Sequence, residues 1–446
     1  MKIRHTIAIA ACKILIKIGK LMGKGGSSTP GLIALKISPD VLRHTASQLG
    51  ENIIAVCGTN GKTTTNNLLC KLIESKGKSV VCNSMGANML PGVACAFLSK
   101  TTLSGKLKAE YASIECDEAS LRHIVKHLSP SRVVITNLFR DQLDRYGAIE
   151  STIALINEAL VKIPDATLIL NSDDPLCVQF AKNRKCIFYG VGEKYNDAKD
   201  ENEVKFCPIC GYELKYNFRH YSQIGDFYCE KCGFKHPETD YCATNINLKN
   251  SMNFDVSYKG NTLSMKLNYR GFYNIYNILA SFCAFESLSM GVENADKVFN
   301  EYKPQNGRME SFDISGKNII LNLAKNPAGF NQAISTVVDD EDKKDVFIAI
   351  NDMAQDGKDI SWIWDVNFES LLKSSETIYA SGSRKYDLAL RLNYAGFDNV
   401  KIVENCMEDI EKVISGKENK IYFLVNFTAL NSTQPALREL YNKEAE

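Results

Sequence analysis

The run Gly58-Thr59-Asn60-Gly61-Lys62-Thr63-Thr64 combines two glycines, a lysine and a string of hydroxyls, the residue types that cradle a nucleoside triphosphate. Glycines let successive backbone N–H groups turn toward phosphate oxygens, and the N-terminus of the helix that follows adds the positive end of its dipole. In that arrangement Lys62 neutralises β- and γ-phosphate charge and the Thr63 hydroxyl reaches Mg2+, so these residues are the candidate ATP-binding positions. The run departs from the strict P-loop spacing, whose first glycine would fall at Val56. Mg2+ keeps most of its waters and takes one or two protein carboxylates. Glu115, which closes the apolar run Tyr111–Ile114, is the candidate, because parallel strands present ligands at their C-terminal ends. Asp117 and Glu118 read instead as the start of the next helix, where acidic groups oppose the dipole. Two more loops, 136–147 and 170–175, begin where predicted strands end, and position alone leaves them open between function and ordinary connection.

A second chemistry lies in Cys207-Pro208-Ile209-Cys210 and Cys229-Glu230-Lys231-Cys232, two C-x2-C knuckles separated by 18 residues. That spacing fits a four-cysteine Zn2+ ribbon, whose closed tetrahedral shell makes the metal structural. The chain has 15 cysteines, an odd number that disulfides cannot exhaust. The other eleven, Cys12, Cys57, Cys70, Cys82, Cys95, Cys116, Cys177, Cys186, Cys242, Cys283 and Cys406, sit in apolar settings and read as buried small side chains in a reducing cytoplasm.

These groups need a scaffold. At roughly 150 residues per domain, 446 residues predict two to four domains. Apolar runs at Asn52–Cys57, Val80–Cys82, Tyr111–Ile114, Val133–Thr136 and Thr167–Leu170 alternate with helical patterns near Thr63–Lys76, Glu118–His127 and Ile149–Lys162, which implies a parallel α/β sheet covered on both faces. The pattern breaks at the charged stretch 193–203, and the cysteine insert follows at 204–240. Strands at Phe254–Tyr258 and Leu263–Leu267 and a helix at Ile275–Met290 lead to the turn-forming Lys303-Pro304-Gln305-Asn306-Gly307. Beyond it a second α/β pattern has strands at Ile319–Leu323, Val346–Ile350, Thr377–Ala380, Val400–Val403 and Ile421–Val425. The domains are therefore placed at 1–50, 51–305 and 306–446. At the front, Ile7, Ala10, Ala11, Ile14, Leu15, Ile18 and Leu21–Met22 recur every three to four residues with lysines between them, an amphipathic helix over 3–22. Its apolar core is too short for a signal peptide, and it either packs on its own protein or lies against anionic lipid. The net charge of +1 gives no sign of a nucleic-acid partner.

The glycine run, Glu115, Thr136-Asn137-Leu138-Phe139-Arg140-Asp141-Gln142-Leu143-Asp144-Arg145-Tyr146-Gly147, Asn171-Ser172-Asp173-Asp174-Pro175, Tyr273-Asn274-Ile275-Tyr276-Asn277 and Gly307-Arg308-Met309-Glu310 together resemble the Mur ligase family, in order from about residue 50 to 310. Gln142 where many members have histidine, with Tyr146, is similar to the MurT branch. So are Leu323–Asn331 and the segment Asn351–Asp365. The resemblance implies a Mur-type P-loop ATPase domain carrying the ribbon, followed by a Rossmann-like α/β domain. It implies a carboxylate phosphorylated by ATP to an acyl phosphate, then attacked by an amine. For the MurT branch the acceptor is the α-carboxylate of D-glutamate in lipid II at the inner membrane face, and the amine is ammonia from a GatD-type glutaminase in a heterodimer. Asn274 and Arg308 are carried over as nucleotide-site residues. By composition the four aspartates of 352–365 are a solvated loop. By resemblance one of them completes the triad of the partner glutaminase, with Asp356 the choice and Asp352 next.

Two absences agree. The last of six histidines is His236, so the C-terminal domain cannot build its own Cys–His pair, and ammonia must come from solution or a partner. Only about 50 residues precede the first strand, too few for the UDP-binding domain of ligases that act on soluble precursors. A Mur-like ligase that adds an amino acid, similar to folylpolyglutamate or cyanophycin synthetases, is the alternative; it would need no glutaminase.

Overall fold

The computed structural model describes residues 2–21, 28–83, 87–140, 149–195, 204–248, 251–267, 269–303 and 307–445. The expectations attached to Met22, to 141–147 with Gln142 and Tyr146, to most of the charged stretch 193–203 and to Pro304–Asn306 lie outside these residues.

Ile53–Cys57 (β1) is apolar at every position and every residue of it is buried, as a central parallel strand requires. Its odd and even side chains serve two different cores. Ile54 and Val56 pack with the helices Lys62–Ser75 and Tyr273–Glu286, while Ile53, Ala55 and Cys57 pack with Leu90–Ser99 and Glu118–Ile124. Around β1 run Val80–Cys82 (β2), Tyr111–Glu115 (β3), Arg132–Ile135 (β4), Thr167–Asn171 (β5) and Cys186–Val191 (β6). Lys215–Tyr221 (β7) and Ile224–Tyr228 (β8) form a separate antiparallel hairpin inside the cysteine insert. Tyr241–Asn247 (β9), Met252–Tyr258 (β10) and Asn261–Leu267 (β11) complete a nine-stranded sheet in the order β11-β10-β9-β6-β5-β4-β1-β3-β2. Pairing is parallel from β2 to β9 and antiparallel for the last two strands.

A second sheet holds Arg308–Ile314 (β12), Lys317–Leu323 (β13), Asp345–Ala349 (β14), Ile378–Ser381 (β15), Val400–Ile402 (β16) and Lys420–Val425 (β17), in the order β12-β13-β17-β14-β15-β16. Only β12 is antiparallel. Again one strand feeds two cores: Val346 and Ile348 face one side, Phe347 and Ala349 the other. β6, β9 and β12, and the helices Thr29–Ile37, Val41–Ala46 and Leu90–Ser99, were not anticipated. Arg308–Glu310, read as motif alone, opens an edge strand.

Two readings need correction. The front helix exists, as Ile3–Leu21, but its buried face is His5, Ala8, Ile9 and Cys12, and not the isoleucine face. Ala8, Ile9 and Cys12 pack with Ala34, Val41, Cys95 and Leu98 of the neighbouring helices, and those neighbours are themselves tightly apposed: a side-chain carbon on Gly31 of the helix Thr29–Ile37 would lie 1.8 Å from the Pro91 carbonyl oxygen. Cys406, expected to be buried, is exposed. No helix among the described residues is long and apolar enough to cross a membrane.

Candidate active site

The sheet order turns at β1. The chain passes from β1 to β2 and β3 on one side, then crosses to β4 on the other, which opens a crevice beyond the C-terminal strand ends. The glycine run follows β1, Glu115 is the last residue of β3, and Thr136-Asn137 follow β4, so neighbouring strands deliver all three to one place. Gly58 and Gly61 have φ of +125° and +83°, the region that favours glycine. Space excludes any side chain as well: a carbon on Gly61 would meet the Asn277 Oδ1 at 2.1 Å, and one on Gly58 the Thr136 Oγ1 at 2.3 Å. The loop is held from β4: the Asn60 N–H donates to Asn137 Oδ1 (2.9 Å), and Thr136 Oγ1 donates to the Asn60 carbonyl (2.7 Å).

Lys62 opens its helix and is 7% exposed. Its ammonium donates to the carbonyls of Gly58 and Thr59 and pairs with Glu118 at 2.9 Å. Burial works against that charge, but Glu118 and then Glu115 outweigh it and hold the lysine above its ordinary range. Burial also pushes the Glu118 carboxyl up, against the pull of Lys62. The expectation that Glu118 merely starts a helix is thus incomplete, whereas Asp117 does cap it, accepting from Ala119 and Ser120. Thr63 Oγ1 donates to Glu115 Oε2 at 2.8 Å, and Asn88 Nδ2 donates to Oε1 at 3.1 Å. Asn83 fixes the Glu115 backbone through both its N–H and its carbonyl. A hydroxyl and a carboxylate side by side at a helix start are a fitting pair of oxygen ligands for Mg2+.

This crevice is a cavity of about 470 Å³ whose far wall comes from the second sheet, with Arg308, Lys325 and Gln332 among its residues. Asn274 lines it and accepts from Asn277, the residue beneath Gly61. Across it, Asn60 and Asn326 exchange amide hydrogen bonds at 3.3 Å. Glu118, Asn83, Asn88 and Asn326 were missed; the last sits directly before Pro327, a helix-start signal. The 170–175 loop is bonded into the fold. Asp174 caps the next turn and accepts from Leu138 N–H, and burial lifts its carboxyl to about 6. Asp173 binds Tyr276 (2.6 Å) and His236 (2.9 Å), tying the insert to the sheet.

In the insert, the sulfurs of Cys207, Cys210, Cys229 and Cys232 lie within 4.8 Å of one another. Each knuckle closes on a glycine at positive φ, Gly211 or Gly233, whose N–H donates to the first cysteine's carbonyl. Burial raises the Cys229 thiol, but the Cys232 and Lys231 N–H groups prevail and bring it down to about 7. Four convergent sulfurs, one already inclined to ionise, fit a tetrahedral metal. In the other lobe, Asp356 is buried and both its oxygens accept from Thr428, whereas Asp352 is part-exposed and held by Ser383 (2.8 Å) and Arg384 (3.0 Å).

A family model described as the Mur ligase middle domain matches residues 56–210, and one described as MurT ligase C-terminal matches 323–430. The MurT subunit of lipid II isoglutaminyl synthase (glutamine-hydrolyzing) of Staphylococcus aureus strain N315 is 35% identical over 441 residues, 98% of each chain. The chain belongs to the MurT family of Mur ligases. The subunit of the same name from Streptococcus pneumoniae is 34% identical over 457 residues, 100% of each chain. Among solved structures, a pseudomurein peptide ligase type C from Methanothermus fervidus superposes with a TM-score of 0.68 at 23% identity, covering 88% of this chain and 79% of that one. MurF from Acinetobacter baumannii gives 0.66 at 18% identity, covering 92% and 80%. These establish the α/β Mur ligase fold with its separate sheets. Family membership makes the chain a ligase of peptidoglycan synthesis.

Proposed function

We propose that the chain is the ATP-using subunit of a lipid II isoglutaminyl synthase, amidating the α-carboxylate of D-glutamate in the stem peptide to D-isoglutamine. The observation that carries this is the convergence of the 58–64 loop, Lys62 and the Thr63–Glu115 pair on a cavity walled by a second lobe of MurT type. ATP lies along the loop, its phosphates met by backbone N–H groups and Lys62. Thr63 and Glu115 would hold Mg2+, which would supply neutralisation of phosphate charge. The acceptor carboxylate attacks the γ-phosphorus, breaking its bond to the β-phosphate oxygen and releasing ADP to give an acyl phosphate, and ammonia then displaces inorganic phosphate to leave the amide. Arg308 and Lys325 on the far wall orient the phosphates, so the protein contributes positioning and charge. The division at 305/306 puts ATP chemistry in a P-loop domain before it and the glutaminase contact in a Rossmann-like domain after it. Cys207, Cys210, Cys229 and Cys232 would hold Zn2+, which would brace the ribbon.

Ammonia comes from a GatD-type glutaminase whose triad is completed by an aspartate of 352–356. Asp356 is the motif-based choice, but a partner imidazole would have to displace Thr428 from it. Asp352, part-exposed and drawn below the usual range by Ser383 and Arg384, is the better placed acceptor. Lys62→Ala should abolish amidation of lipid II by ATP with either nitrogen source, and full activity would overturn the reading. Asp352→Asn should lose glutamine-driven amidation and keep ammonia-driven amidation, with Asp356→Asn affecting both equally through its helix contact. The opposite pattern would return the role to Asp356.

A further inference from the structure

The front helix turns an apolar ridge outward. Ile3, Ile7, Ile14, Ile18 and Leu21 are 80, 51, 57, 45 and 87% exposed, while the small-residue face is buried against the helices Thr29–Ile37 and Leu90–Ser99. At 100° per residue the five fall within a sector of about 60°, a continuous strip about 27 Å long. Exposed Lys17 lies about 40° beyond one edge of that sector and exposed Arg4 about 40° beyond the other, with exposed Lys20 further round at the C-terminal end. Seven lysines and arginines and no acidic residue occur before Asp40, in a chain whose total charge is only +1. Cores of protein interfaces are poor in lysine, so a lysine-bordered isoleucine strip fits lipid better than a protein partner. Apolar residues on one side and cations at the border are what an interfacial helix needs to sit among anionic headgroups.

We infer that the helix Ile3–Leu21 lies in the surface of an anionic phospholipid bilayer, with the isoleucine ridge among the acyl chains and Arg4, Lys17 and Lys20 among the headgroups. The helix Leu90–Ser99 packs directly on it, and Asn88, just ahead of that helix, holds Glu115 in the crevice. One intervening helix therefore links the membrane-facing layer to the crevice, its far end meeting the front helix at Cys95 and Leu98 and its near end preceded by Asn88. A lipid-linked acceptor is met at the bilayer surface without leaving it; this last consequence rests on the proposed function, whereas the membrane contact does not.

The test is sedimentation of the full chain, purified with its glutaminase subunit, on vesicles of phosphatidylglycerol and phosphatidylcholine in equal parts or of phosphatidylcholine alone. Binding to the anionic vesicles, weakened by high salt, is expected. Ile7→Ser/Ile14→Ser/Ile18→Ser and, separately, Lys17→Glu/Lys20→Glu should each cut the partition coefficient by about tenfold or more. Melting temperature and amidation of detergent-dispersed lipid II should stay unchanged in both. Failure of the parent to bind anionic vesicles, or equal binding by the isoleucine variant, overturns the inference. So does loss of a dimer or of the glutaminase in that variant, which would give the ridge to a protein. Absent amidation by the parent in detergent would sink the functional reading and leave the vesicle result standing.

Discussion

Lys62 is more than a phosphate ligand, because it is also the counter-ion of buried Glu118. Removing one member of a buried pair costs about 3–5 kcal/mol, since the other is left without compensation. Lys62→Ala should therefore lower the melting temperature as well as abolish activity. Lys62→Ala/Glu118→Ala should regain most of the stability and none of the activity. The sign of the pH dependence follows from Glu118. A carboxyl whose folded pKa lies above its unfolded value costs stability once the pH exceeds the unfolded value of about 4.3, and the cost grows until the folded pKa is passed. Burial already raises Glu118. The deficit of Lys62→Ala should be small near pH 5 and larger near pH 8 in paired thermal melts, and a deficit independent of pH would show that Glu118 finds another cation.

At the scale of elements, the ribbon is a small hairpin whose tip is gathered by four sulfurs and whose body is held by the Asp173–His236 contact and by Tyr221, Ile224 and Phe227 packed into the cores of the lobe. Removing zinc with a strong chelator, or Cys229→Ser, should lower the melting temperature and release one zinc per chain, measured by elemental analysis, while leaving ATP binding measurable because the crevice borrows no sulfur. Much of this was legible in the sequence. The knuckles, the glycine run and Glu115 are local patterns whose spacing dictates geometry, and the long apolar strands announce themselves. What was not legible depends on partners distant in the chain. Glu118 is an ordinary first-turn acid until β3 and β1 pair and set it beside Lys62. Asn88 is one polar residue among many until it meets Glu115. The front helix misleads for a related reason: it carries apolar residues on two faces, and periodicity cannot say which one the rest of the chain will cover.

At the scale of the molecule, two lobes share one cavity and are joined by polar contacts at it and outside its lining. Among them are the Asn60–Asn326 amide pair, the exposed Arg140–Asp365 pair at 3.8 Å and Arg270–Asp340 at 3.8 Å. The Arg140–Asp365 pair, exposed on both sides, contributes about 0–1 kcal/mol. Asn326 has a second duty, accepting from the Gly329 N–H at its helix start (2.8 Å). Asn326→Ser keeps a capping oxygen but cannot reach Asn60. It should melt within about 0.5 kcal/mol of the parent and raise KM for ATP, while Asn326→Ala should lose about 1 kcal/mol as well. Equal KM in all three would remove the amide pair from nucleotide binding.

β1 belongs to both cores of its lobe at once, one through its even residues and one through its odd ones. The loop that ends it cannot loosen unless packing on one side of the sheet is disturbed. Any compound that settles in the loop is thus coupled to the melting of the entire lobe, and its binding should register as a rise in transition temperature that grows with the logarithm of its concentration. Inhibitors of this protein could be ranked by calorimetry or dye fluorescence alone, before lipid substrate or glutaminase is in hand.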